Sequence, residues 1–200
     1  MTTKVEALGT ENTLQAKQAV DTEVRNINDF LRTVQSSAYR MAKLSTQNTE
    51  DALDIVQDAM MKLVQKYPHK PVKELKPLFY AILSSKLKDW HRKRVFRQQF
   101  HWIFNNDEEH GDPLENIASD FDQLPQEWLE SQREMTDVLQ AITTLSERQR
   151  QVLLLRQWQG FSVEETANIL KISNGSVKTH LHRANQTINA MVRNQHEVQS

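Results

Sequence analysis

From Ser173 to Arg193 the chain separates apolar from hydrogen-bonding residues along one helix-length run. Val177, Leu181, Ala184 and Ile188 form one stripe, and advancing by ~100° per residue gathers Gly175, Lys178, Thr179, His182 and Arg183 on the opposite side. Small, hydroxyl and cationic groups share that second face, and no acid occurs from Asn174 to Gln195. Such a face suits hydrogen bonding to base edges and charge pairing with phosphates. A solvated amphipathic helix is the competing reading, but an ordinary solvent face mixes acids with its bases.

The residues before it would position that face. Ser162 with Glu165 three residues on is a reciprocal capping pair, as is Ser146 with Gln149. Gly160 stands just past the helix that Ser146 opens, where a left-handed residue is wanted. Val163, Thr166, Ala167 and Leu170 then mark one helical face, and Lys171, Ile172 and Ser173 form a turn ending in another cap residue. Two short helices joined by a three-residue turn, the second with a polar outer face, make a helix-turn-helix whose second helix enters the DNA major groove.

A net charge of −1 is unusual for a nucleic-acid binder until it is mapped along the chain. From Lys86 to Arg97 six Lys or Arg face one acid; from Asn105 to Gln132 nine acids occur without a base; from Leu145 to Arg193 seven bases face three acids. The average hides two cationic segments and one anionic connector. Glycine (4) and proline (5) are few and β-branched alternation is rare, so the fold class is all-α: two small helical domains joined by an acidic linker, the C-terminal one a helix-turn-helix. The expected divisions are an N-terminal extension at 1–22, a helical domain at 23–104, the linker at 105–133, the helix-turn-helix domain at 134–193 and a tail at 194–200.

In the first domain, Val24, Ile27, Phe30, Leu31, Val34, Ala38 and Met41 fall at helical spacing, and Ser45 to Thr49 break the pattern. A second helix up to Tyr67 carries Ala52, Ile55, Val56, Ala59, Met60 and Leu63 inward and Asp54, Gln57, Asp58, Met61 and Gln65 outward. That outward face is either plain solvent surface or a partner surface, where methionine adapts to a groove and carboxylates meet bases. After Pro68 and Pro71 a third helix is expected from Leu75 through the basic run. Its cations can follow a phosphate backbone and an exposed ring can stack on an unpaired base. Phe96, Phe100 and Trp102 are read as core; Trp90 fits either role.

The absence of cysteine excludes disulfides and thiolate zinc sites, and fits a reducing, cytoplasmic setting. No apolar run approaches the ~20 residues that cross a bilayer, and Met1 to Val20 is too polar for a signal peptide, so no membrane insertion is expected. His101, Asp107, Glu108, Glu109 and His110 lack regular ligand spacing, and no nucleophile elbow or phosphate loop appears. The expectation is a protein that is not an enzyme and has no metal site and no cofactor.

The run Asp51-Ala52-Leu53-Asp54-Ile55-Val56-Gln57-Asp58-Ala59-Met60-Met61-Lys62-Leu63 resembles a signature of the extracytoplasmic-function sigma factors of bacterial RNA polymerase, in the sigma-70 superfamily. Leu78 to Trp90 looks like their following helix. Leu145 to Gln149, Gly160, Thr166-Ala167, Gly175 to His180 and Arg183-Ala184 resemble their C-terminal helix-turn-helix. The three matches occur in the family's order and span most of residues 23–192.

The resemblance implies a partner and two promoter contacts. Asp54, Gln57, Asp58 and Met61 would dock on core RNA polymerase, at the clamp helices of its largest subunit, with the flap as a further contact. Ser84, Ser85, Lys88, Trp90, Arg92 and Lys93 would hold and melt the minus-ten element of promoter DNA. The linker would thread into the channel that later carries RNA. Lys178, Thr179, His182 and Arg183 would read the minus-thirty-five element, with Ser176 adding a phosphate contact at the helix start. An anti-sigma factor is a candidate partner. This sequence departs from the family pattern at Leu53, where an acid is usual, and at Ser85, where asparagine is common. The alternative is a stand-alone helix-turn-helix transcriptional regulator, but residues 23–104 offer neither the βα alternation of a receiver domain nor a ligand pocket.

Overall fold

The computed structural model describes residues 27–104 and 129–198. The expected N-terminal extension, residues 105–128 of the linker and the last two residues of the tail lie outside the described residues. Among the described residues every regular element is helical.

The first helix, α1, covers residues 27–46 and buries Ile27, Phe30, Val34, Ala38 and Met41, the stripe expected from their spacing. It ends at Gln47, whose φ of 57° turns the chain through the left-handed region. The polar break caps both neighbours: Thr46 Oγ1 donates to the Asn48 carbonyl (2.9 Å), and Asn48 Oδ1 accepts from the Asp51 amide (2.9 Å). Helix α2, Thr49–Lys66, turns Ala52, Ile55, Val56, Ala59 and Leu63 inward. The Pro68–Pro71 loop follows, and α3 runs from Val72 to Phe104, starting three residues before the expected Leu75. Phe79, Tyr80, Leu83 and Leu87 of α3 complete the first core.

The second domain opens with α4, Leu129–Thr144, several residues earlier than its expected start, and then α5, Glu147–Leu153. Helix α5 passes into a π-helical turn at Leu154–Trp158, closed by the Gln159 amide on the Leu154 carbonyl at 3.1 Å. Gly160 leaves this turn with φ of 73°, the left-handed position its place in the sequence required. Both predicted capping boxes are formed, at Ser146/Gln149 for α5 and at Ser162/Glu165 for α6, Val163–Leu170. Hydrogen bonding from Ser162 backbone and hydroxyl holds the Glu165 carboxyl below the usual carboxylate range. Helix α6 stops at Lys171, left-handed at φ 54°, with the Ile172 amide closing on the Ala167 carbonyl. Ser173 then caps α7, Asn174–Val198, its Oγ accepting from the Ser176 amide at 3.0 Å.

The cores of the two domains are continuous. A ladder of edge-to-face rings runs from Phe30 through Phe79 (6.1 Å) and Tyr80 (5.3 Å) to Phe161 (5.5 Å), crossing from α1 and α3 into the segment between the π turn and α6.

A Cβ at Gly160 would meet nothing within 4 Å, so Gly160→Ala is opposed by backbone conformation alone. It should lower unfolding free energy by about 1 kcal/mol in denaturant titration, with Gly160→Asn costing less. Ser162→Ala, which removes a formed cap, should cost about 1 kcal/mol as well.

Candidate nucleic-acid and polymerase interface

Helix α7 buries Val177 and Ala184 completely and half-buries Leu181 and Ile188, which seats it on the second core. Lys178, Thr179, His182 and Arg183 are thereby all exposed on the outer face. Thr179 Oγ1 donates back to the Gly175 carbonyl (3.0 Å), so its oxygen lone pairs point away from the helix as acceptors. Ser176 is half-buried at the first turn, its hydroxyl 2.8 Å from that of Ser173.

On α2 the residues expected outward lie outward. Asp54, Gln57 and Asp58 are exposed, and Met61 is 57% exposed. Leu53 (46%) and Val64 extend Met61 into an apolar line between the acids, which the spacing argument had not joined together. An exposed row of large apolar groups flanked by carboxylates is the composition of a partner surface. Asp58 is already engaged: its Oδ2 lies 2.6 Å from Lys86 Nζ on α3, so the first cation of the basic run is tied to the outward face of α2.

Helix α3 divides its candidate residues. Ser85, Lys88, Arg92 and Lys93 are exposed, with Arg92 paired to Asp89 at 3.1 Å. Trp90 packs against the core with Arg94 5.3 Å above its ring, which places it with the structural side chains. Ser84 is only 3% exposed, because it falls four residues after Tyr80 on the core face of the helix. That corrects its placement among exposed DNA contacts. Phe96, expected in the core, is 62% exposed, since α3 runs past the body of the domain there. The side chains of Phe100 and Trp102 lie outside the described residues, as does the imagined metal set at 101–110. Among the described residues no three His, Asp or Glu side chains gather as metal ligands.

Two residues of α5 that sequence reasoning passed over organise the joint between the domains. Arg150, 7% exposed, donates from Nε to the Ile142 carbonyl (3.0 Å), from Nη2 to Thr143 (2.6 Å) and Leu145 (2.8 Å), and from Nη1 to Ser45 (3.1 Å) at the end of α1. Burial pulls its guanidinium below the ordinary value, which Glu147 opposes and Arg94 reinforces. Gln151 donates to the Ser84 carbonyl at 3.2 Å and to Glu147. Burial pushes the Glu147 carboxyl up, against the lowering pull of His91, Arg150 and Arg148. At the far end of the joint, Lys76 Nζ donates to the Gln159 carbonyl (2.8 Å) and lies 5.1 Å from the Phe161 ring centre.

Described residues that are helical throughout, with an acidic and apolar outward face on α2, a basic helix and a helix-turn-helix, have the make-up of a class: proteins that join a macromolecular partner to DNA. Comparison with known proteins narrows it. Residues 27–97 match the model described as "Sigma-70 region 2", and residues 135–188 match "Sigma-70, region 4". The chain is 26% identical over 163 residues to the RNA polymerase sigma-E factor of Streptomyces avermitilis, covering 81% of this chain and 82% of that protein. It is 28% identical over 140 residues to RNA polymerase sigma factor YlaC of Bacillus subtilis, covering 70% and 76%. The solved structure of the sigma factor RpoE in complex with the anti-sigma factor NepR from Bartonella quintana shares its fold, with a TM-score of 0.59 at 23% identity, covering 82% of this chain and 97% of that one. The protein belongs to the extracytoplasmic-function sigma factors of the sigma-70 superfamily.

Arg150→Met should destabilise the fold by on the order of 3 kcal/mol, because it leaves buried carbonyls without donors, and Arg150→Lys should recover only part of this. Glu147 supplies a pH test. Its folded pKa is raised, so its ionisation opposes folding: the relative stability is fully present below the unfolded pKa and is lost as pH rises through the folded one. Glu147→Gln should therefore be more stable than wild type at pH 7.5, and the advantage should vanish on acidification through the carboxylate range. Equal differences at both pH values in denaturant titrations would refute this.

Proposed function

We propose that the α2 face of Leu53, Asp54, Gln57, Asp58, Met61 and Val64 docks on core RNA polymerase, at the clamp helices of the largest subunit, while the outer face of α7 reads the minus-thirty-five element. In this reading Ser176 and Arg183 hold phosphates, Thr179 and His182 face base edges, and Lys178 serves either partner. Ser85, Lys88, Arg92 and Lys93 hold the minus-ten region, with Trp90 bracing the helix beneath them. The protein works in the cytoplasm, contributes no catalytic group of its own, and lends the polymerase its promoter specificity. An anti-sigma protein is a candidate antagonist, because the structural relative from Bartonella quintana was solved bound to one.

The observation that carries this reading is the presence in one chain of two differently built outward faces. One is apolar and acidic on α2; the other is cationic and hydroxyl-bearing on α7. A stand-alone regulator would have use for the second only.

Asp54→Arg should abolish co-purification with core polymerase while leaving the melting temperature nearly unchanged, since the side chain is exposed. Loss of the fold in that variant would move the docking surface elsewhere. In run-off transcription on a cognate promoter, Lys178→Ala and Arg183→Ala should reduce initiation across promoters. Thr179 and His182 substitutions should change base preference, by about 1–3 kcal/mol per contact. If all four left transcription untouched, the assignment of α7 would fall.

A further inference from the structure

Gly160 and Gly175 stand in the second domain for different reasons. Gly160 is held left-handed at φ 73°, whereas Gly175 lies in ordinary right-handed helix, in the first turn of α7. A Cβ at Gly175 would come no nearer to the rest of the protein than 3.8 Å, at Ser173 Oγ, which is ordinary van der Waals contact. Neither backbone nor packing calls for glycine here, and glycine weakens a helix relative to alanine. The residue is exposed, on the outer face that also carries Lys178, Thr179, His182 and Arg183. A methyl group at position 175 would obstruct only a molecule arriving from outside.

Thr179 stands one turn further along the same face. Helical side chains lean toward the N-terminus, so that of Thr179 lies over the turn that contains Gly175. Its hydroxyl proton is committed there, because Oγ1 donates to the Gly175 carbonyl at 3.0 Å. To donate outward, the hydroxyl would have to rotate and give up that bond. Toward solvent it therefore offers lone pairs alone. Its neighbours are of the opposite kind: Lys178 and Arg183 can only donate, and His182 can do either. Thr179 is the fixed acceptor of the four, and the bare backbone at Gly175 leaves the approach to it open.

The major groove of DNA contains the matching donors. Adenine N6 and cytosine N4 carry amino hydrogens there, while thymine O4 and guanine O6 are acceptors. Each base pair thus has one amino group in the groove, and turning the pair round moves it to the other strand. An acceptor fixed on α7 tells the two orientations apart. Facing a keto oxygen, the Thr179 oxygen would have no proton to share.

We propose that Thr179 Oγ1 accepts an amino hydrogen from adenine or cytosine at one position of the minus-thirty-five element, reached across the bare turn at Gly175. Thr179 thereby separates amino-bearing from keto-bearing bases on one strand. The inference rests on the α7 assignment under Proposed function and adds to it the class of base that is read.

The test uses holoenzyme made from core polymerase and the full-length chain, on promoters in which each minus-thirty-five position carries all four bases in turn. Thr179→Val keeps the shape of the side chain and removes its oxygen. At one position it should lower run-off transcription on the adenine and cytosine templates by about tenfold, the scale of one base contact, and leave the thymine and guanine templates no lower. Thr179→Ser retains the acceptor and should retain the wild-type pattern. Gly175→Ala should raise the melting temperature by about 1–3 °C, as a better helix former. It should nevertheless lower initiation on the preferred promoter by about fivefold, through the obstructed contact.

A Thr179→Val loss confined to one base, or shared by the two purines, overturns the proposal, as does a Val profile equal to that of wild type. Gly175→Ala that initiates as well as wild type overturns the open approach at that turn. Lys178→Ala and Arg183→Ala tell this failure from failure of the reading beneath it. If they lower initiation while Thr179→Val changes nothing, the inference alone falls. If they too are silent, α7 does not lie on the element at all.

Discussion

The guanidinium of Arg150 ties the end of α4 to the end of α1 and fixes the joint between the two domains. Two sharp turns, at Gln47–Asn48 and Leu145–Ser146, each end a helix at the joint, where the buried residues Ser45, Thr46 and Leu145 carry the last carbonyls. An unpaired buried carbonyl is costly, and the planar fork of one arginine can answer several at once. Arg150 does so for α4 and reaches α1 as well, while Arg94 takes the neighbouring carbonyl at Thr46. Together with the buried Val152 and Leu153, that side chain seats α5 between the ends of α4 and α1.

With its interior so arranged, the protein is free to build its outer faces from unrelated chemistry. Helix α7 needs only its buried stripe at Val177 and Ala184 to stay seated, so positions 178, 179, 182 and 183 are unconstrained by packing. Helix α2 is seated by Ala52, Ile55, Val56, Ala59 and Leu63, which leaves Leu53, Met61 and Val64 exposed. Large apolar groups exposed in a row are the composition of a partner surface. Helix α3 is different, because its core residues and its cations occupy interleaved positions. Ser84 goes inward while Ser85 goes outward, so one helix carries core and cationic face within a single turn.

The features legible in the sequence are those set within a few residues. Both capping boxes, the left-handed Gly160, the stripe of α7 and the apolar rows of α1 and α2 depend on spacings of three and four, and each was read in its right place. What could not be read depends on distant partners. Arg150 meets Ser45 across 105 positions and Gln151 meets Ser84 across 67, and no local pattern marks an arginine or glutamine as buried. Lys171 is left-handed without being glycine, because the Ile172–Ala167 closure and the Ser173 cap demand the turn whatever residue stands there. Phe96 reads as core from its type alone, although it lies on the part of α3 that runs past the body of the domain.

The Asp58–Lys86 pair joins the outward face of α2 to the basic helix α3. Asp58 lies on the outward face of α2 and Lys86 lies two residues past Ser84 on α3, at 2.6 Å from its carboxylate. Both side chains keep solvent contact, and exposed pairs of this kind contribute at most about 1 kcal/mol, so the pair is easily exchanged for another partner. Arg150 is held in the opposite way, buried and bonded on four sides. The fixed bonds are thus kept for the interior and the exchangeable ones for the outer faces. Such a division suits a sigma factor, whose work is done through contacts with other molecules rather than through groups in its core.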